Sequence, residues 1–296
     1  MSEAKITVGI VGLGNMGGGM AERLLAAGYP LVGFNRTRAK AEAFAAKGMI
    51  VAGSPREVAE RGDLTITMVT NDAALLAVFD GPDGILAGLR GGKIVAEMST
   101  TAPALVRELA ARVAERGAQL LDAPVLGSIL TLREGKLLIM VGGPRDAYGR
   151  AEPALLAIGS VRRVGDVGGA KALKIAANLN LAVQVVAFSE GILLAEKMGV
   201  DRRVAIETLL GGVIASPALK YRIPFILAPP PSPLFDCTMI QKDLALALDL
   251  ARETDVPVTT TAVAQQMFSA ACAFGYAKED FAVVFHALAK MAGIER

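Results

Sequence analysis

The sequence predicts an α/β chain: a doubly wound parallel sheet in the first half, joined by a long helix to an all-helical second half. Three observations carry this. Short β-rich runs alternate with helical patterns up to about residue 165. Five of the eight residues from 12 to 19 are glycine, directly after a β-branched run and directly before an Ala/Leu-rich amphipathic one. Beyond Gly165 the apolar spacing is helical, with no convincing strand.

In order, the strand-like runs are ITVGIVGL, YPLVGF, LTITMV, KIVAEM, AQLLDAP, KLLIMVGG and VRRVG. Helical patterns lie between them, at 37–47 and 103–116 among others. Ser54, Pro55 and Glu57 make a helix start: a Ser cap, Pro at the first helical position, and a Glu placed to close a capping box. After the change of character near 165, a helix is predicted over 169–199. Others follow at about 201–211, 217–227, 237–254, 258–275 and 280–291, broken by APPPSP at 228–233. This divides the chain into a sheet domain, 1–165, and an all-helical domain, 166–296.

With 296 residues, 53% hydrophobic and 20% charged, the composition is that of a folded globular chain with ample core. A formal net charge of +2 without a Lys/Arg block argues against nucleic acid as a partner. Cys237 and Cys272 are the only cysteines, far apart, which excludes a disulfide scaffold and a Cys-type zinc site and suits a reducing compartment. No metal site is expected. The most apolar run, LNLAVQVVAFSEGILLAEKMG, is interrupted by Gln184 and Glu190, and no signal peptide is read at the N-terminus. The expectation is a cytoplasmic protein without a membrane partner.

Gly12, Gly14 and Gly17 form G-x-G-x-x-G at a strand-to-helix join, with Asn15 and Met16 between them. The first glycine permits a tight turn, the second lets a pyrophosphate reach the backbone, and the third lets helix and strand pack closely. A glycine turn that binds nothing is the competing reading, and the strand and helix context disfavours it. A Rossmann dinucleotide site is therefore predicted. Where NAD would want a carboxylate, at the end of the second run, the sequence reads GFNRTRAK: Asn35, Arg36 and Thr37, with no acid before Glu42. Charge-assisted donors there favour the 2′-phosphate of NADP(H). Val69 and Thr70 after LTITMV's core, and Ser99 and Thr100 after KIVAEM, should line the same groove, because ligands sit at the carboxyl ends of such strands.

Hydride transfer to a carbonyl needs a proton donor for the alkoxide. The single histidine, His286, lies on the last helix, far in sequence from the other ligand-like features, and reads as structural. Lys174 and Asn178, one turn apart on the predicted long helix, could supply a donor and an orienting amide. Desolvation and the like charge of Lys171 would lower the pKa of Lys174. On spacing alone, a pair of solvated lysines at a helix start is an equal reading.

Four ordered motifs, GLGNMGGGMAERLL, DAPVLGS, the GGAKALK…N run and IQKDLALA, resemble the β-hydroxyacid dehydrogenase family, the relatives of 3-hydroxyisobutyrate dehydrogenase, over essentially the whole chain. NRT, FSEGILLAEKMGV and IQKDL resemble most closely its NADPH-dependent glyoxylate/succinic semialdehyde reductase branch. The resemblance implies a Rossmann domain, a long interdomain helix, and a helical domain, like that of 6-phosphogluconate dehydrogenase, that often forms dimers or tetramers. It places the catalytic lysine on Lys174 and its partner on Asn178, gives Lys242 contacts to both cofactor and substrate, and leaves Asp243 a structural part. Val125, Leu126, Gly127 and Ser128 become the substrate loop.

That loop departs from the family pattern, which has Ser where Leu126 stands. Leucine cannot bind a carboxylate or hydroxyl, so either the substrate is more apolar there or Ser128 and backbone N–H groups hold the anion. The expected activity is NADPH-dependent reduction of a small aldehyde or oxo acid to the hydroxy acid. Imine reduction on the same scaffold is the alternative, and a non-catalytic NADP-binding module a weaker one.

Overall fold

A computed structural model describes residues 5–294 and divides the chain into two compact units, Met1–Lys174 and Ile175–Arg296. Among its described residues the first holds nine strands: β1 (Val8–Val11), β2 (Leu31–Phe34), β3 (Ile50–Val51), β4 (Leu64–Thr67), β5 (Ile94–Glu97), β6 (Gln119–Asp122), β7 (Val125–Leu126), β8 (Leu138–Gly142) and β9 (Ser160–Gly165). They form one sheet in the order β3-β2-β1-β4-β5-β6-β8-β7, with β9 paired to β8. The pairings from β3 to β6 are all parallel, whereas β8 runs antiparallel to β6 and β7.

Both faces of this sheet are buried, as a doubly wound sheet requires. Neighbouring residues of β1 show it directly. Ile10 packs with Met20 and Leu24 of the helix Asn15–Ala26 and with Ala151 and Leu155 of the helix Arg145–Ile158. Val11 faces the other way, toward Val58 of the helix Pro55–Arg61, Phe79 of Asp72–Phe79, and Val106 and Leu109 of Pro103–Ala114. Ser54 caps its helix as read, accepting the Glu57 N–H at 3.2 Å, but the Glu57 carboxylate accepts the Gly53 N–H at 2.7 Å instead of closing the box on Ser54.

Several elements differ from the sequence reading. The helix expected over 37–47 splits into Arg38–Glu42 and a 3-10 turn, Ala45–Lys47, ending at Gly48 with positive φ. The strands β3 and β7, two residues each, are too short for periodicity to reveal. Pro153 sits inside the helix Arg145–Ile158 and masks it in the sequence.

The second unit is helical. The long helix Gly169–Lys197 runs into it from the first, and the helices Arg202–Gly211, Pro217–Arg222, Cys237–Thr254, Thr259–Ala271 and Val284–Met291 follow, with short 3-10 and π turns between some of them. By length and composition the long helix could cross a membrane. Here its Val185, Phe188 and Ile192 are instead part of a buried core with Ile240, Leu244, Phe268 and Phe281, the place of a core helix. Cys237 and Cys272 are free thiols; burial pushes both above the ordinary thiol range, Cys237 the further.

Candidate active site

The glycine join after β1 is shaped by close approach. Gly12 has φ +100°, and a Cβ on it would collide with the Met68 carbonyl; one on Gly17 would collide with the Gly12 carbonyl. Gly14, by contrast, faces open space and is the N-cap of the helix Asn15–Ala26. No side chain caps this helix and no acid lies in its first turn. Its first N–H groups and the positive end of its dipole are thus available to an anion, which is what a pyrophosphate needs. Asn15 is exposed, and Met16 packs half-buried on the core.

Asn35, just past β2, holds this loop from the side. Its Oδ1 accepts the Leu13 N–H at 2.9 Å and its Nδ2 donates to the Thr37 carbonyl at 3.0 Å. The side chain shapes the loop, while Arg36 and Thr37 are exposed. Ser99, buried past β5, accepts the Val69 N–H on its Oγ at 2.9 Å, tying two of the expected groove residues together. Thr70 is exposed and Thr100 half-buried at the same strand ends.

Val125 and Leu126 form β7, paired with Ile139 and Leu138 of β8. Val125 is buried and Leu126 half-buried. Gly127 has φ +133°, and the Ser128 N–H donates to Thr131 Oγ1 at 2.8 Å. That amide is therefore engaged inside its own loop. The Ser128 hydroxyl in turn accepts the Thr131 N–H, closing a capping box on its own short helix, so what it can offer an anion is its O–H proton.

Asn178 is buried, one helical turn from the half-buried Lys174, and its Nδ2 donates to Asp243. One amide hydrogen and Oδ1 are left to orient another group. Asp243 is itself buried and also receives Lys242 Nζ at 2.8 Å. One carboxylate thus holds both expected residues of the helical unit, a function the IQKDL motif did not reveal. His286 lies elsewhere in that unit, lining a cavity of about 300 Å³ with Phe225, Pro229 and Asp280.

Lys171 corrects the sequence reading. It is 0 % exposed, with Nζ at 2.6 Å from Glu97 Oε2, 3.0 Å from Asp122 Oδ1 and 3.0 Å from the Glu97 carbonyl. Burial pulls its pKa down, but the two carboxylates outweigh that and hold it above the ordinary lysine range. Its charge is compensated on the spot, so it is not the like charge that was expected to lower the pKa of Lys174. Among the described residues there is no His/Cys/Asp/Glu cluster suited to a metal ion.

Residues 7–169 match the family described as the NAD binding domain of 6-phosphogluconate dehydrogenase. Residues 168–288 match that described as the NAD-binding domain of NADP-dependent 3-hydroxyisobutyrate dehydrogenase. The mitochondrial 3-hydroxyisobutyrate dehydrogenase of Mus musculus is 35% identical, over 96% of this chain and 88% of its own. The chloroplastic glyoxylate/succinic semialdehyde reductase 2 of Arabidopsis thaliana is 31% identical, over 96% and 79%. A 3-hydroxyisobutyrate dehydrogenase structure from Salmonella typhimurium superimposes with a TM-score of 0.87 at 30% identity, covering 95% of this chain and 99% of that one.

Proposed function

Because the chain belongs to the β-hydroxyacid dehydrogenase family of NAD(P)-dependent oxidoreductases, we propose that it uses NADPH to reduce a small aldehyde or oxo acid, of semialdehyde or glyoxylate type. The observation that carries this reading is Lys174 one turn from Asn178, whose amide a buried carboxylate holds in place. Gly12 to Gly17 would hold the pyrophosphate and Arg36 with Thr37 the 2′-phosphate. When bound, NADPH supplies the hydride that turns the carbonyl into an alkoxide. Lys174 donates the proton that neutralises this oxygen, and Asn178 orients the substrate through its free amide hydrogen or Oδ1. Leu126 presents an apolar wall, and the Ser128 hydroxyl takes the substrate carboxylate.

The test is NADPH consumption with glyoxylate, succinic semialdehyde, tartronate semialdehyde, an uncharged aldehyde and a cyclic imine. Turnover of the carboxylated aldehydes is expected. Turnover of the uncharged aldehyde or the imine alone would mean that Leu126 has redirected the pocket, with the imine result favouring imine reduction.

Arg36 gives a separate check on the cofactor. A charge-assisted hydrogen bond is worth about 1.5–3 kcal/mol, so Arg36→Ala should raise the KM for NADPH roughly tenfold to a hundredfold and leave that for NADH unchanged. Equal losses for both would remove the 2′-phosphate from its partners.

A further inference from the structure

Lys171 has no part in the chemistry above, yet it is among the largest side chains the fold buries completely. Glu97 and Asp122 are paired in register on β5 and β6, so their carboxyl groups lie side by side at the ends of neighbouring strands. Both are buried, and two ionised carboxylates side by side repel each other unless a cation or a shared proton compensates them. Lys171 Nζ fills the gap, donating a hydrogen bond to the Glu97 carbonyl and making ion-pair contacts with one carboxylate oxygen of each residue.

The network extends in two directions. Asp122 Oδ2 accepts the Gly168 N–H at 2.8 Å and the Lys171 N–H at 3.1 Å, amides that a helix start leaves without intrahelical partners. Glu97 Oε1 accepts the Ser99 N–H at 2.8 Å, and Ser99 in turn accepts from Val69. A connected set of hydrogen bonds therefore runs from the first turn of the long helix to the two strand ends read as cofactor groove.

Buried ion clusters are weak sources of stability, since apolar side chains of similar volume often serve as well. What this one adds is direction: it specifies both the rotation and the height of the helix start. Lys174 lies three residues on, at the neighbouring position along the same side.

We propose that Lys171 is a positioning residue: by bridging Glu97 and Asp122 it fixes the first turns of the long helix, and with them Lys174, against the strand ends carrying Val69 and Ser99. This rests on the reading of Lys174 as proton donor.

The test is a double-mutant cycle. Lys171→Met is made alone and together with Lys174→Ala, and kcat and NADPH affinity are measured, with single-turnover rates where activity is low. A misplacement of about 1 Å costs roughly a hundredfold, so Lys171→Met alone should lower kcat about tenfold to a hundredfold. NADPH affinity should stay within about threefold, because the glycine loop and Arg36 are untouched. In the Lys174→Ala background the same change should cost almost nothing further, since residues that act as a unit are non-additive.

Should Lys171→Met fail to fold, Asp122→Asn replaces it. That change keeps an acceptor for the Gly168 and Lys171 amides while loosening the Nζ contact, and it should show the same non-additivity. Unchanged kcat, or an equal fold loss in both backgrounds, overturns the proposal. A fully active Lys174→Ala chain would instead overturn the proton donor, and this proposal with it.

Discussion

Replacing Lys174 by Ala should lower kcat by about a hundredfold to ten-thousandfold, the usual contribution of a positioned general acid. NADPH binding should survive, because the groups read as holding the cofactor belong to the glycine loop and to Arg36–Thr37. Cofactor fluorescence titration and NADPH consumption on the same sample separate the two effects. Lys174→Arg should fare little better, since a guanidinium does not give up its proton at working pH and is a planar fork where an ammonium is a point. Retained turnover in Lys174→Ala would remove the assignment. A loss of NADPH binding would show that the side chain serves the fold of the groove.

The second large effect falls on stability. Arg222 and Asp280 form a buried ion pair in the helical unit, with the guanidinium centred 4.4 Å from the Phe281 ring centroid and also beside Tyr221 and Phe225. Asp280 further accepts the Leu234 N–H at 3.3 Å and the Ala282 N–H at 3.2 Å. Asp280→Ala would strand a buried guanidinium and release those amides, a loss of about 3–5 kcal/mol. Asp280→Asn, which can still accept from the amides, should lose less. Denaturant unfolding followed by circular dichroism reads this as a lower midpoint for the alanine variant. A loss below about 1 kcal/mol would mean that water reaches the pair on a slight loosening of the fold.

How much was legible beforehand depended on the range over which each feature is decided. The glycine join could be read because two of its demands are local, the turn at Gly12 and the approach of Gly17 to the Gly12 carbonyl, although the contact of Gly12 with the Met68 carbonyl is not. The doubly wound sheet showed in the alternation of short β-rich runs with helical patterns, and the helical second half in its spacing. The missing carboxylate after β2 was visible as plain text. Lys174 and Asn178 could be paired from spacing, since four residues on a helix share a side.

The charged residues around them could not be assigned that way. Lys171 looked in sequence like a solvated lysine or a like-charged neighbour, but its partners Glu97 and Asp122 stand 74 and 49 residues away. Asp243 was read as a structural part beside Lys242, but the sequence did not name its partner, Asn178, 65 residues away. Backbone conformation and hydrophobic periodicity are short-range properties, so the sequence by itself determined the fold class, the dinucleotide loop and the lysine–asparagine spacing. The state of a charge depends on what surrounds it and on how far water is excluded. Only the tertiary structure decided that Lys171 is compensated by Glu97 and Asp122 and that Asp243 holds Asn178.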